Sequence, residues 1–536
     1  MVASGFYGIL PKTKPVQGTA PMGFLKRLFF PLFLLPNLLI AAPLPASTLL
    51  EQKQFAALPK SAEIDDWLKS LAKASPYARV VHIGKSVGGR DYSALLLSKN
   101  TAFLETGAHQ KGVLTVLLIG SQHGTEPSGN EALQQLALDV VAGKRLQYLD
   151  TMNLILIPNG NPDGRDNTTR LNAVNGNLNV DYMRLAYPET RIYRDVLTRY
   201  APDALLDMHE SSIHKKTLTD RQGYFTDVEA QYEVGNNPNI DAHLRQLTDK
   251  VLLPALITTT EAKGLPAQHY LGEIQSLDQP VAHGGLRLSN LRNYSAMLGV
   301  ASFLVENRLD PLDAEYPTPQ NIKVRRDKQY KSACAFLEVL SAHASTILAT
   351  VEAAKTAWKT PEFADTLLQL DYRFGLDFRN PQRVITLRSA SSGKKAAKAF
   401  PNHDFVLLQK PSRLPKAYAV TAAQEAIATL LRRHGLEVEV VKAAKKVTAI
   451  LPEVEDVALH HPENPLFRTT AEVKMRNRVQ AYTLKPGDLL VNTRQANGLL
   501  IPLLLDARSV DSLFQEPQFR GLLVSGRYAV AFPIVD

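Results

Sequence analysis

Cysteine is almost absent from this sequence, in which a single residue, Cys334, occurs among 536 positions. One thiol cannot form a disulfide within the chain, and it cannot build a cysteine-rich zinc site. Any metal ion bound by this chain must therefore be held by His, Asp and Glu side chains.

A strong charge of either sign is also lacking. The net charge is +9, and residues 1–46 contribute four basic residues and no acidic residue, so the rest of the chain carries 9 − 4 = +5. Such a mild basic excess does not indicate a nucleic-acid partner.

Long hydrophobic runs are missing as well. The apolar run at 28–40 is shorter than the ~20 residues that a membrane-spanning helix needs. It follows Lys26 and Arg27 and precedes small residues up to Ala46, a pattern typical of a targeting segment. We therefore predict a leader over residues 1–46 and no stable membrane span after its removal, with a retained anchor as the alternative. Export without disulfides is typical of a protein of the bacterial periplasm or a secreted bacterial protein.

Length and pattern predict two domains. A chain of 536 residues exceeds one ordinary core, and a hydrophobic share of 45% is sufficient for packed globular domains. Strands alternate with helical patterns up to a long helix, which predicts an α/β domain over 47–358 with a mixed, largely parallel central sheet flanked by helices. Within it, 210–279 is predicted to be a polar insertion with one helical stretch at 242–253. Beyond a boundary near 358, short strands around one helix predict a smaller β-rich α+β domain over 359–536, of unknown role.

Candidate metal ligands lie in one loop between a strand and a helix. A buried-looking strand at 113–119 leads into His123 and Glu126, and a predicted helix at 130–141 follows. Open α/β sheets place their ligands at the carboxyl ends of strands, where this loop lies. An imidazole and a carboxylate three positions apart can turn toward one cation, and one further histidine would complete a three-ligand site with a position open to water.

Two later strand ends carry the matching side chains. His209 follows a predicted strand at 204–208, and Glu306 ends an apolar run at 296–305. A lone histidine or glutamate at a strand end is usually structural, but together with the His-x-x-Glu loop the pattern is hard to obtain by chance. We predict that His123, Glu126 and His209 meet at one metal ion and that Glu306 lies beside it.

In this order along the chain, the motifs resemble those of the zinc carboxypeptidase family, the metallopeptidases related to carboxypeptidase A. Residues 84–90 resemble an early glycine-rich turn of that family, and residues 123–126 match its zinc-binding His-x-x-Glu. Residues 161–164, Asn-Pro-Asp-Gly, match a family signature, and 207–209 and 304–306 resemble the strands with the third ligand and the general base. The resemblance covers roughly residues 63–344.

The resemblance implies a carboxypeptidase-like fold, one Zn²⁺ ion and hydrolysis of C-terminal peptide bonds in a peptide substrate. Zinc would lower the pKa of a bound water to ~7 and polarise the scissile carbonyl. Glu306 would act as general base, and Arg170 would stabilise the charge that develops on the carbonyl oxygen. Asn179 would contact the substrate.

One position departs from the family pattern. The family's Asp-x-Asn-Arg is Asn-Leu-Asn-Val at 177–180, so the arginine that pairs with the substrate's free carboxylate is replaced by Val180, which cannot do so. We predict that Arg287 or Arg292 supplies this charge and assign Arg292 to substrate binding; the alternative is that these are surface arginines with no such role. Two other functions stay open: a zinc acyl-amide hydrolase similar to desuccinylases and aspartoacylases, and a non-catalytic peptide-binding relative.

Three further features receive mainly structural interpretations. Asp207 either orients a ligand imidazole or faces solvent. Tyr294 is predicted to be a core residue, with a place over the active site as the alternative. The pair His460 and His461 is predicted to lie in a solvated loop and to form no second metal site.

Overall fold

The computed structural model describes residues 43–309, 321–461 and 469–535. The predicted leader over 1–46 lies almost entirely outside these residues. Among them, no single helix is long and apolar enough to span a membrane, and only the helices Ile322–Ala342 and Ala344–Lys359, bent by 83°, meet that test as a pair, by length and composition alone.

A mixed eight-stranded sheet, ordered β1-β2-β4-β3-β5-β9-β7-β8, organises the first half of the chain. Strands β3, β4, β5 and β9 pair in parallel, and β1, β2 and β7 add antiparallel neighbours at the two sides. The predicted mixed, largely parallel sheet is therefore confirmed. The strands are β1 (Ala78–Lys85), β2 (Asp91–Leu97), β3 (Leu114–Gly120), β4 (Met152–Ile157), β5 (Ala204–Ser211), β7 (Ala230–Val234), β8 (Ala267–His269) and β9 (Ala301–Arg308), with β6 (Tyr224–Thr226) in a separate sheet.

The central strands are buried along their whole length. All residues of β3 and β4 are buried, which explains their continuous apolar sequence, because a parallel strand covered on both faces needs no polar side. Gly120 ends β3 where the chain passes close to the next helix: a Cβ at this position would lie 2.6 Å from the carbonyl carbon of Gly129. Glycine therefore permits the sharp entry into the loop that carries His123 and Glu126.

Helices cover both faces of the sheet, as predicted. The helix α10 is the longest of them, and it buries Cys334 against the sheet. The helices of this half are α1 (Leu49–Gln52), α2 (Ser61–Lys73), α3 (Thr101–Thr106), α4 (Ser128–Val141), α5 (Pro162–Asn167), α6 (Pro188–Tyr200), α7 (Ala242–Gln246), α8 (Leu253–Ala262), α9 (Leu291–Met297), α10 (Ile322–Ala342) and α11 (Ala344–Thr356).

The remainder of the chain is β-rich with few helices, which confirms the predicted α+β character. Its largest sheet has six strands, ordered β17-β20-β16-β21-β18-β19. The strands are β10 (Leu367–Gln369), β11 (Tyr372–Gly375), β12 (Gln382–Ser389), β13 (Lys395–Pro401), β14 (Phe405–Leu408), β15 (Pro411–Arg413), β16 (Ala417–Val420), β17 (Glu439–Val440), β18 (Lys445–His460), β19 (Thr470–Leu484), β20 (Leu489–Asn492) and β21 (Ala531–Ile534). The helices are α12 (Gln424–Arg433), α13 (Leu500–Leu505) and α14 (Pro517–Arg520).

The two halves share secondary structure and core. Strand β12 pairs with β6, and one hydrophobic cluster combines residues of β3 and α9 with residues of β16 and α13. Residues 41–536 form one compact unit. The boundary near 358, with domains over 47–358 and 359–536, remains a prediction about how the chain is organised.

Candidate metal centre

The loop after β3 holds His123 and Glu126 in a tight, buried turn. The backbone N–H of Glu126 donates to the carbonyl of His123 at 3.0 Å, and Ser121 Oγ donates to the carbonyl of Glu126 at 2.9 Å. Ser121 itself has a φ of +56°, in the left-handed region, which reverses the chain directly after the strand. Both predicted ligands are buried and their side chains turn toward β5.

His209 reaches the same point from β5. Its Nδ1 lies 2.9 Å from Glu126 Oε2 and 3.2 Å from the Nδ1 of His123. The Nδ1 of His123 lies 2.9 Å from Glu126 Oε1. One ligand atom from each of the three residues lies within 4.8 Å of the others, so the three predicted ligands converge.

The outer nitrogens of both imidazoles face hydrogen-bond acceptors. His209 Nε2 lies 2.9 Å from Asp207 Oδ2, and His123 Nε2 lies 3.2 Å from Asn177 Oδ1. Acceptors at these positions favour protons on both Nε2 atoms, so both Nδ1 atoms would offer lone pairs to a cation bound beside Glu126. Two lone pairs and a carboxylate aimed at one buried point suit a divalent cation, and the donor set fits zinc.

The charges around the three ligands also favour a cation. Burial lowers the pKa of His209, but Asp207 and Glu126 on either side outweigh it and hold that pKa well above the usual histidine value. Burial raises the pKa of Glu126, yet the imidazoles of His123 and His209 keep it well below the usual range. A positive charge is therefore stabilised at the point where these side chains meet.

Glu306 and Arg170 both lie at this centre. Glu306 of β9 is paired with His209 of β5, so their side chains leave the sheet on the same face. Burial raises the pKa of Glu306 to about 8; His209 opposes this shift, and Glu126 adds to it. No hydrogen-bond partner contacts Glu306 Oε2 within the described ranges. Arg170 donates to Glu126 Oε1 at 2.5 Å, and its side chain is 52% exposed.

The two predicted substrate-binding residues occupy different surroundings. Asn179 Nδ2 lies 3.4 Å from His209 Nε2, and its Oδ1 accepts from the N–H of Leu291, so Asn179 lies against the centre. Arg292 is buried and donates to Asn236 Oδ1 and to the carbonyl of Gly285. Burial lowers the pKa of Arg292, and Glu233 opposes this shift.

Arg287 and Val180, unlike Arg292, are partly exposed. Arg287 donates to the carbonyl of Val510 and lies 3.9 Å from Asp511 Oδ1, so it contacts the second half of the chain. Val180 is 37% exposed beside Asn179. Tyr294 is fully buried and bonds His434 Nδ1 at 2.9 Å, as predicted for a core tyrosine.

Two of the sequence motifs bind each other and hold the loop. Asp163 of the Asn-Pro-Asp-Gly segment is buried and accepts from Ser86 Oγ, the N–H of Gly88 and Arg90, all from the glycine-rich turn. Asn161 donates to the carbonyl of Gln122, next to His123, at 3.3 Å. These motifs therefore position the ligands and do not contact the metal point themselves.

Sequence reasoning missed three residues near the centre. Asn177 contacts His123, and Gln122 donates to both carboxylate oxygens of Asp207 at 3.2 and 3.1 Å. Tyr270 lies near Glu306, whose charge, after burial, raises the pKa of the tyrosine well above its ordinary value. Gln122 directly precedes His123, so its position in the sequence could have indicated that it lies near the centre. Nothing in the sequence around Tyr270 indicated that this residue lies near Glu306.

A second group of possible ligands, Glu233, His269 and His283, lies apart from this centre. His269 Nε2 lies 3.0 Å from Glu233 Oε1, and His283 Nδ1 contacts the carbonyl of Tyr270 at 2.6 Å. The two imidazole rings are stacked, with centroids 3.5 Å apart and an angle of 15°. A nitrogen lone pair of an imidazole lies in the plane of the ring. Because the planes of these two rings are nearly parallel, their lone pairs cannot both point at one ion. This group therefore fits a hydrogen-bonded cluster better than a metal site. His460 is exposed at the end of β18 and contacts Glu472, so it lies on a strand and not in the predicted loop.

Comparison with known proteins agrees with these motifs. A sequence model of the zinc carboxypeptidase family matches residues 64–210. The matched segment contains His123, Glu126 and His209 together with Arg170 and Asn179. The other two predicted site residues, Arg292 and Glu306, lie after it. The predicted resemblance to this family is confirmed.

The curated relatives are carboxypeptidases of other organisms. The chain is 28% identical over 250 residues to carboxypeptidase 2 of Trichophyton rubrum, covering 46% of this chain and 46% of the relative. It is 29% identical over 228 residues to carboxypeptidase 2 of Trichophyton tonsurans, covering 42% of each. The match thus spans less than half the length of these relatives. A metallo-carboxypeptidase structure from Burkholderia cenocepacia is 18% identical, with a TM-score of 0.40, over 52% of this chain and 68% of its own.

Proposed function

On the premise that residues 64–210 are those of a zinc carboxypeptidase, we propose that this chain hydrolyses peptide bonds at a zinc ion held by His123, Glu126 and His209. The observation that carries this proposal is the convergence of two histidine Nδ1 atoms and one carboxylate on a single buried point. Zinc bound there would supply a Lewis acid that activates water and polarises the scissile carbonyl.

The remaining steps belong to side chains of the protein. Glu306, whose Oε2 has no hydrogen-bond partner among the described residues, would accept the proton of the attacking water and return it to the departing amine. Arg170, partly exposed beside Glu126, would donate to the carbonyl oxygen as negative charge develops on it. Asp207 and Asn177 would keep both imidazoles in the tautomer that leaves Nδ1 free.

Binding of the substrate would involve Asn179 and Arg292. Asn179 is next to the metal ligands, and Arg292 is a buried cation whose Nε has no hydrogen-bond partner among the described residues. A buried guanidinium with unused donor capacity suits a carboxylate on the leaving residue. We propose export to the periplasm or the medium as the place of action, on the leader pattern of residues 1–46.

The decisive experiment combines metal analysis with turnover by the purified mature chain. We expect one zinc per chain and hydrolysis of peptides in a library followed by mass spectrometry. Glu306→Gln should keep the zinc and lose at least ~10²-fold in kcat, because it removes the proton acceptor and leaves the ligands intact. The exposed Glu362→Gln is the matched control.

Other results would point to the other functions. Turnover of N-acyl amino acids alone would favour an acyl-amide hydrolase. A chain that binds peptides but contains no zinc would favour the non-catalytic relative. Full activity in Glu306→Gln would contradict the proposed role of that residue.

A further inference from the structure

A cavity of about 1240 Å³ lies next to Val180. One wall comes from the segment after Asn179 and from the approach to α9, including Val180, Met183 and Arg287. The opposite wall comes from the second half of the chain, including residues of α12 and Asp511. No function described so far uses this cavity.

The cavity shares its first wall with the metal centre. Asn179, directly before Val180, lies 3.4 Å from His209 and binds the N–H of Leu291. The N–H of Tyr182 donates to the carbonyl of Ser289, a lining residue, at 3.1 Å. The hydrogen-bonded segments 179–182 and 289–291 therefore contact the metal centre through Asn179 and line the cavity through Val180 and Ser289.

The volume of the cavity and the apolar side chain of Val180 suit a substrate peptide of several residues better than a single amino acid. Drug-sized ligands occupy cavities of ~300–1,000 Å³, so this one exceeds the need of one amino acid. Val180, one of its lining residues, is uncharged and 37% exposed, and it cannot hold a terminal carboxylate. A peptide that passes Val180 would therefore meet neither a steric end nor an anchoring cation at that place.

The charges of the walls also indicate the class of ligand. Arg184 is paired with Glu516 at 2.9 Å, and Arg287 lies 3.9 Å from Asp511, so acidic and basic groups offset each other. Met183, Leu430 and Phe519 add apolar surface. Such walls suit a polypeptide of mixed composition and give no excess of charge for a polyanion.

We propose that the part of the substrate after the scissile bond runs past Val180 into this cavity, so that the substrates are peptides that continue for several residues beyond the cut. This inference rests on the proposed peptidase function and extends it to the leaving side. The second half of the chain thereby becomes a wall of the substrate site.

Two peptides that differ only after the scissile bond test this inference on the zinc-loaded full chain. The short peptide ends one residue after the bond with a free carboxylate, and the long one continues for four more residues to an amide. We expect a kcat/KM at least tenfold higher for the long peptide. Val180→Arg should reverse this preference by placing a carboxylate partner next to Asn179.

Variants inside the cavity separate its role from folding. Ala426 and Thr429 are exposed lining residues of α12, so Ala426→Trp or Thr429→Trp fills the cavity without disturbing a core. Each should lower turnover of the long peptide at least tenfold more than turnover of the short one. Val384→Trp, at a 68% exposed position on β12, is the control and should alter neither.

The outcomes distinguish this inference from the function on which it rests. Hydrolysis of the short peptide alone, or equal hydrolysis of the long peptide by Ala426→Trp, Thr429→Trp and the unaltered chain, would overturn the inference while the peptidase function stands. Absence of hydrolysis of both peptides by the zinc-loaded chain would overturn both.

Discussion

The imidazole of His209 shows how single residues build the centre. Its Nδ1 faces Glu126, and its Nε2 lies 2.9 Å from Asp207, a fully buried carboxylate. Of the two alternatives for Asp207, the structure favours the orienting role, because no solvent reaches this side chain. Gln122 in turn donates to Asp207, so one hydrogen-bonded chain fixes the ring.

Asp207→Asn should weaken zinc binding by about 10–100-fold, because the amide supports the imidazole less strongly than the carboxylate. Competition with a chromophoric chelator at fixed pH measures this affinity. Asp195→Asn is the matched control, since the side chain of Asp195 is 72% exposed and its ion-pair partner is Arg194. Equal zinc affinity in the two variants would contradict the orienting role.

A second residue, His434, makes stability depend on pH. Burial, together with Arg194 and Arg433, lowers the pKa of His434 to about 4, while its ring bonds Tyr294. The unfolded chain binds this proton near pH 6.5, so stability is complete above that pH and falls as the pH decreases toward 4.

We expect His434 to reduce the free energy of unfolding by about 2 kcal/mol between pH 7 and pH 5. Urea unfolding at both pH values measures it, and His434→Gln should show a pH-dependent loss that is smaller by that amount. The difference between the two proteins cancels the contribution of the other histidines. A variant with the same loss as the unaltered chain would show that His434 does not titrate in this way.

The convergence of His123, Glu126 and His209 could be predicted because they lie at the ends of apolar strands or in the loop after one, and because family motifs mark them. The sequence could not predict Asn177 or Tyr270 as neighbours, because both lie in irregular segments where spacing does not determine side-chain direction. The sequence likewise could not predict that Arg292 lies near Glu233, since this contact depends on the fold of the polar insertion.

At the scale of elements, buried charge connects α10 to β5. Arg325 of α10 donates to both oxygens of Glu210, at 2.6 and 2.9 Å, and Glu210 also accepts from the N–H of Ser128 at the start of α4. Glu210 directly follows His209, so this ion pair fixes the end of the strand that carries His209.

Arg325→Met should lower the free energy of unfolding by about 3–5 kcal/mol, because it leaves the carboxylate of Glu210 buried without its cation. Urea unfolding monitored by circular dichroism measures the change. Lys323→Met is the matched control on the same helix, since Lys323 is exposed. Glu210→Gln combined with Arg325→Met should recover part of the loss, and no recovery would contradict this explanation.

Strands with continuous apolar sequence were predictable at this scale, whereas those of the insertion were not. Only a helical stretch was predicted within 210–279, yet β7 and β8 join the main sheet there. Strand β7 carries Gln231 and Glu233, both buried, on the face of Glu306. Polar residues that face a polar site hide the hydrophobic pattern on which strand prediction depends.

At the scale of the whole molecule, both halves contribute to one core. Leu288, Leu291 and Tyr294 are buried in a cluster with Tyr418 and Leu503 of the second half. The α/β and β-rich patterns were visible in the sequence, but contacts between the two patterns depend on surface shape, which periodicity does not encode.

A chain that ends at residue 358 should therefore not fold stably. Each large apolar side chain returned to water costs about 1.5–3 kcal/mol, and several of them exceed a typical total stability of about 5–15 kcal/mol. Thermal melts and limited proteolysis of 47–358 beside 47–535 measure the difference. A cooperative melt of the shorter chain near that of the longer one would contradict the shared core.

The lone thiol in α10 gives the molecule a built-in reporter. Cys334 is 1% exposed, and burial raises the pKa of its thiol, so it is shielded and poorly ionised in the native fold. A maleimide would label it only during moments when α10 lifts from the sheet. The rate of labelling in native buffer, with and without added zinc, would then show whether zinc binding at the carboxyl ends of the strands reduces how often α10 opens.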